Sequence, residues 1–386
     1  MILENYKQKA TNLFFSLLIF LPTIVNIGNT IYIILFLIGL YQLPTFTKSN
    51  KSRLFQIFVL FVFLSSIVFY ISLIFSKEIQ DKVNGASSYI PIPLSILCCI
   101  LFAKTGYINN VVFKWIILFI CIEIVVGLVE YKLGIYYLIK PSSIGDTDMT
   151  SFGSDNLLYY SRVYGLSSNS SVLALKAFVA ILLNFIVFKR KWINILVLCV
   201  CFACLFVTFN RTAIISTSLF LILYYLKTFK KSYIFLSLIG LVVLFILIYH
   251  NYELIFSQFN RGQTTLDTSD RGVIIGRYLD YINVHPFFGN YFHELRLVIF
   301  GTVLHSHNSF TQITAQCGII FFILLMVLIF NFLNKSNYVF IIPILVYSLT
   351  QFGIFWGISF LDIIFFYLLF KINTSFFQSS IDLKLH

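Results

Sequence analysis

Residues 305–333 read HSHNSFTQITAQCGIIFFILLMVLIFNFL. A polar turn with two histidines runs without a break into a mostly apolar stretch, Phe310 to Leu333. At about 1.5 Å rise per residue, roughly 20 such residues cross a bilayer. The stretch therefore reads as a membrane helix entered through His305-Ser306-His307-Asn308. Upstream, Tyr252 to Gly318 is the longest segment that is not apolar, and it carries Arg261, Asp267, Asp270, Arg271, Arg277, Asp280, His285, His293 and Arg296. Long polar loops between membrane helices usually carry function, so the chemistry is expected here, against the outer ends of neighbouring helices.

The composition makes lipid the solvent. The 386 residues are 59% apolar and only 11% charged, against about 25% charged in soluble domains. The net charge of +12 then reads as topology rather than nucleic-acid binding, because basic residues gather in cytoplasmic loops. The seven cysteines, Cys98, Cys99, Cys121, Cys199, Cys201, Cys204 and Cys317, lie in or at apolar runs and read as small hydrophobes, not as disulfides or metal ligands. The first apolar run lacks a small-residue cleavage site and another run follows at once, so it reads as an uncleaved span.

On the 20-residue criterion about twelve spans emerge, an all-α polytopic bundle formed by a single integral membrane domain, 1–386. They are Thr11–Val25, Ile31–Leu43, Leu54–Phe75, Tyr89–Phe102, Val111–Val129, Ser171–Phe188, Trp192–Phe209, Thr212–Leu226, Tyr233–Tyr249, Phe310–Leu333, Tyr338–Phe352 and Ile358–Phe370. With Lys7 and Lys9 cytoplasmic, alternate connections carry Lys48, Lys51 and Arg53; Lys104; Lys189, Arg190 and Lys191; Lys227, Lys230 and Lys231; Lys335; and Lys371. The positive-inside rule fits each, so both termini are expected in the cytoplasm. The outer face holds loop 130–168 and the large loop 250–307. Six of the eight arginines, Arg162, Arg211, Arg261, Arg271, Arg277 and Arg296, fall on that outer side. Topology needs only charge, whereas a guanidinium fork suits phosphate or carboxylate. An anionic ligand at the outer membrane surface is the expectation.

Several groups could serve it. Arg211 sits between two apolar runs with almost no loop, a costly place that by default marks function, with snorkelling as the bland alternative. Arg162 precedes Gly165 and a Ser/Asn cluster that reads as a turn and N-cap feeding the sixth span, where free N–H groups suit an anion; it is equally well a solvated loop charge. Lys176 lies about two turns into that span, as a ligand group or a merely buried amine. His305 and His307 could supply a general base, cap a helix or, with His293 and Glu294, bind metal, although the spacing matches no familiar metal pattern. Gly272 to Val284 has helical spacing of Val273, Ile274, Tyr278 and Ile282 and should end near Pro286, with an apolar face suited to the membrane interface. Glu123 and Asp362, inside apolar spans, read as buried partners of a cation.

Together, Asn210-Arg211-Thr212-Ala213, Arg162-Val163-Tyr164-Gly165, Asp270-Arg271-Gly272 with Pro286-Phe287-Phe288-Gly289, and His307-Asn308-Ser309-Phe310 followed by Gly318-Ile319-Ile320 resemble the O-antigen polymerase and O-antigen ligase superfamily. The resemblance spans roughly Arg162 to Leu333. Many members have Ser where this chain has Asn210. The resemblance implies a glycosyltransferase C-like fold and a metal-independent inner-membrane enzyme without a cofactor, its active site facing the periplasm. Its donor would be an oligosaccharide on undecaprenyl pyrophosphate and its acceptor a sugar hydroxyl. It further implies that Arg211 and Arg271 grip the pyrophosphate, supported by Arg162, while His307 takes the acceptor proton. Arg277, Arg261, His305, Asn308 and Lys176 join them as substrate-binding candidates. The bilayer, the lipid-linked glycan and a chain-length regulator are the expected partners; nucleic acid is not. The resemblance leans toward a polymerase of repeat units, with a ligase to lipid A core as the close alternative. A lipid-linked oligosaccharide transporter is the alternative of another class, although it would favour internal repeats, and none is visible.

Overall fold

The computed structural model describes residues 2–24, 28–44, 53–75, 89–135, 138, 163–167, 169–188, 190–208, 210–228, 249, 252–253 and 271–371. Among them are twelve α-helices: α1 Ile2–Phe20, α2 Gly28–Tyr41, α3 Arg53–Phe75, α4 Ile92–Lys104, α5 Asn110–Leu133, α6 Ser170–Val187, α7 Lys191–Thr208, α8 Arg211–Thr228, α9 Arg271–Val284, α10 Ser309–Phe332, α11 Tyr338–Thr350 and α12 Phe360–Lys371. This is an all-α, multi-pass membrane protein. Five helices are long and apolar enough to cross a bilayer: α3, α5, α6, α7 and α10. Shorter apolar helices run over Ile31–Tyr41, Ile92–Lys104 and Tyr338–Thr350. The expected ninth span lies outside the described residues except for Tyr249.

The α3 sequence is apolar all round, and Ile57, Leu60, Phe63, Leu64, Ile67, Ile71 and Ile74 stay exposed, as suits a helix whose outer face meets lipid. Helix starts follow the caps. Asn169 accepts from Val172 N–H (2.9 Å), Asn210 from Ala213 N–H (3.0 Å) and Asn308 from Phe310 and Thr311 N–H (2.9 and 3.1 Å). Each satisfies a donor that the first turn leaves orphaned. Asn210, which stands where Ser is common in the resembled family, thus fills a capping role that Ser also performs.

The chain divides into two compact units, residues 1–116 with 270–386, and residues 117–269. In the first, α4 runs between two chemically different ends. At one, the Lys104 ammonium lies 4.6 Å from the Phe370 ring centre and 5.7 Å from Phe332, and Lys371 Nζ donates to Thr105 O (2.6 Å). At the other, Ile92 N–H donates to Phe292 O (3.2 Å) and Ser95 Oγ accepts from Ile358 N–H (3.2 Å). Lysines gather at one end and the histidine-bearing loop at the other.

Three details depart from the sequence reading. A β-hairpin, β1 Leu297–Ile299 with β2 Thr302–Leu304, interrupts the large loop. Phe300 and Gly301 turn it with φ of 55° and 76°, the left-handed pair that a two-residue hairpin turn requires. Part of the apolar face of α9 packs inward: Ile274 and Tyr278 are buried against Leu295, Ile299 and Ala315, while Val273 and Leu279 stay exposed. Among the described residues Asp362 pairs with no cation; it accepts from Phe355 N–H (2.6 Å), Trp356 N–H (3.0 Å) and Ser359 Oγ (2.7 Å). It shapes the Gln351–Ile358 turn by satisfying that turn's backbone.

In the second unit Glu123 does find its cation. Lys176 Nζ donates to both carboxylate oxygens at 2.8 Å, and Ser167 Oγ donates to Oε1 at 2.5 Å. Both charges are buried, so each needs the other. We expect Glu123→Ala or Lys176→Ala to destabilise by about 3–5 kcal/mol. The double variant Glu123→Leu/Lys176→Met should recover most of that loss, read as the thermal midpoint of detergent-purified protein. Additive losses would remove the pair from the core of this unit.

Candidate active site

The His305–Asn308 turn is held from four sides. Asn308 caps α10, as above. Gln312, one turn in, accepts from Ser306 N–H (2.8 Å) and donates to Leu295 O (2.6 Å), tying the turn to the segment before the hairpin. Ser309 Oγ donates to Gln351 O (3.3 Å) and accepts from Gly353 and Ile354 N–H (3.0 and 3.1 Å). His305 lies against Phe352 and Trp356, with ring centres 5.6 and 5.8 Å away. The His307 backbone is left-handed, φ 53°, uncommon for a side chain of this size and typical of functional turns.

A second lock sits ten residues on. At Gly318, φ 78° and ψ 167° break α10. The Pro286–Phe292 turn fills the break. Ile319 N–H donates to Pro286 O (2.8 Å), Asn290 N–H to Ala315 O (2.9 Å) and Phe292 N–H to Gln316 O (3.0 Å). The two motifs Pro286-Phe287-Phe288-Gly289 and Gly318-Ile319-Ile320 are therefore one feature: each supplies the backbone groups that the other leaves open. His293 is fixed beside it, stacked on Phe69 at 4.0 Å with Nε2 2.9 Å from Ser72 Oγ.

The histidine rings lie 4.5 Å apart. Burial, then His307, then Arg296 hold His305 down to about 3. Burial, then the Arg271 charge, lower His307 from its ordinary 6.5. Both are therefore neutral imidazoles near pH 7. His307 Nδ1 is buried without a hydrogen-bond partner among the described residues. Arg271 opens α9 and donates from Nη1 to Thr350 O (3.1 Å). A neutral imidazole with a buried open nitrogen, beside a fixed guanidinium, can take a proton while a neighbouring anion is stabilised.

Residues 195–326 match the family model described as O-antigen ligase. Over those residues the chain is similar to the O-antigen polymerase and ligase superfamily, and the match supports that family. The match begins within α7, takes in α8 and runs through the histidine turn and the Gly318 break. It supports an enzyme of this glycosyltransferase-like superfamily. No curated protein matches the chain.

The superfamily resemblance named further residues, and the structure distributes them. His305, His307, Asn308 and Arg271 are together in the first unit. Arg277, also in α9, lines an open groove of ≈ 870 Å³ with Asp280, Tyr281, His285, Leu297 and Phe300. Arg211 begins α8 and Lys176 faces Glu123, both in the second unit. Arg162 and Arg261 lie outside the described residues. Sequence reasoning passed over Ser309, Gln312 and Gln316, whose signal was available: polar side chains on the buried face of an apolar helix are costly unless used. It also placed Glu294 only as an alternative metal ligand; its Oε1 accepts from Arg296 Nη2 (2.8 Å) and Nε (3.0 Å).

Proposed function

We propose that this protein is an O-antigen polymerase. It joins oligosaccharide repeat units carried on undecaprenyl pyrophosphate at the periplasmic face of the bacterial inner membrane. The observation that carries this reading is His307: neutral and half-buried, its Nδ1 buried without a partner among the described residues, in a braced turn within the electrostatic reach of Arg271. In the transfer, an acceptor hydroxyl oxygen attacks the anomeric carbon of the donor sugar. The bond from that carbon to the pyrophosphate oxygen breaks, and undecaprenyl pyrophosphate leaves with the electron pair. His307 accepts the hydroxyl proton. Arg271 meets the charge that grows on the departing diphosphate. Arg211 and Arg162 keep the cationic roles that their sequence positions suggest, and guanidinium groups in these roles leave no step that needs a metal.

The lysine-rich end of the first unit supports a cytoplasmic assignment for that end, and hence a periplasmic one for the histidines. A chain-length regulator is a natural partner for a polymerase. The matched family's description favours a second reading, ligation of the glycan to lipid A core. Purified protein given synthetic lipid-linked repeat units and a chelator should build a ladder of products and release undecaprenyl pyrophosphate. Product formation only when lipid A core is added would establish the ligase; none with either acceptor would refute the transfer reading. In cells, loss of a polymerase leaves core bearing one repeat unit, whereas loss of a ligase leaves bare core.

A further inference from the structure

Behind the histidine pair, a cavity of ≈ 90 Å³ is bounded by Tyr32, Ser95, Glu294, Gln316, Phe352 and Trp356, all in the first unit. Its walls have two characters. Phe352 and Trp356 stack at 3.8 Å, and the indole is pinned by its own N–H, which donates to Phe352 O (2.9 Å). Trp356 remains 39% exposed, a rigid apolar surface open on one side. The polar wall is rich in acceptors. Glu294 presents a carboxylate, and Gln316, 1% exposed, has a buried Oε1 with no hydrogen-bond partner among the described residues. A buried orphan acceptor is costly and calls for a donor. A carboxylate already paired with a guanidinium, beside an orphan carbonyl, offers acceptors to hydroxyl groups, while the C–H face of a pyranose ring suits an aromatic surface. His305 touches both aromatic rings and lies 4.5 Å from His307, so a ring at this cavity is one layer from the proposed base.

We propose that this cavity is the acceptor-sugar subsite, holding the outer edge of the terminal ring of the acceptor glycan, with Gln316 and Glu294 accepting hydrogen bonds from its hydroxyl groups and Trp356 facing its C–H surface. The proposal rests on the transfer reading for the word acceptor, but not for the binding of sugar. The diphosphate end of the donor stays with Arg271, and the acceptor ring goes to the aromatic wall and the amide and carboxylate oxygens of the cavity.

The test uses the full chain in detergent, titrated calorimetrically with repeat-unit oligosaccharide freed from its lipid carrier by mild acid. Wild-type protein should bind this lipid-free oligosaccharide. Glu294→Gln, Gln316→Ala and Trp356→Ala should each weaken binding by roughly fivefold or more, the loss expected for one good hydrogen bond or ring contact. Gln316→Glu, which keeps the shape and an acceptor, should weaken it less than Gln316→Ala. Variants are compared where their thermal midpoints match wild type, and Gln316→Met, which fills the space but removes the acceptor, stands in where the alanine variant does not fold. His307→Ala should lose transfer while still binding the oligosaccharide, and Gly276→Ala, outside the cavity, is the variant expected to bind as wild type does. No binding by wild-type protein, or equal binding by all of the cavity variants, overturns the subsite. Normal transfer by His307→Ala would instead overturn the catalytic reading and leave the subsite standing on its own binding data.

Discussion

His307→Ala should lower glycan transfer by roughly 10²–10⁴-fold, the usual contribution of a positioned general base. The measurement is glycan ladder formation in cells lacking the native copy, at matched protein levels, followed by transfer rates with purified protein. The structure gives this variant a clean interpretation. The turn is braced through Asn308, Ser306, Ser309 and Gln312 rather than through the His307 ring, so removing the imidazole leaves its scaffold. Ladders of normal length and amount would remove His307 from the chemistry.

The pH profile sharpens the same prediction. A base works when deprotonated, so activity is present above its pKa and lost as pH falls through it. His307 is lowered from 6.5 by burial and by Arg271. The midpoint of the wild-type acid limb should therefore lie below 6.5, the ordinary imidazole value. Arg271→Gln removes the second cause, so its acid limb should move to higher pH as well as its rate falling. A drop in rate with an unmoved acid limb would mean that the Arg271 charge does not act on His307.

What could be read from the chain alone follows from which interactions are local. Helix positions rest on hydropathy and on capping residues a few positions away, so α6, α7 and α10 fall within a residue or two of their expected bounds. His307 before a capping Asn308 is likewise a local pattern. The hairpin was invisible because two three-residue strands present too few alternations to stand out from a polar loop. Asp362 looked like half of an ion pair because sequence shows a buried charge but not the backbone N–H groups 6 and 7 residues before it that satisfy it. The cavity draws on α2, α4, α10, the Glu294 segment and the Gln351–Ile358 turn, and no spacing within one segment announces such a meeting.

Gly318→Ala should be the most damaging single-methyl change in the first unit. Backbone near φ +78°, ψ +167° is essentially reserved for glycine, and forcing another residue into it costs about 1–3 kcal/mol. Space compounds the strain: a Cβ at Gly318 would run into the carbonyl of Phe287, which is backbone and has nowhere to rotate. Relief requires the Pro286–Phe292 turn to lift. That would break the hydrogen bonds from Ile319, Asn290 and Phe292 N–H, leaving buried groups unpaired at about 1–3 kcal/mol each. Such a sum is comparable to the whole margin of a folded protein, about 5–15 kcal/mol. The expected result is a sharp fall in folded yield, with protease cleavage appearing inside 286–292. Gly276→Ala is the control, since a Cβ there meets nothing within 4 Å. At this helical site the change should be neutral or stabilise by up to about 1 kcal/mol. If Gly318→Ala matched Gly276→Ala in yield and midpoint, the break in α10 would not depend on the turn that fills it, and the two motifs would be independent after all.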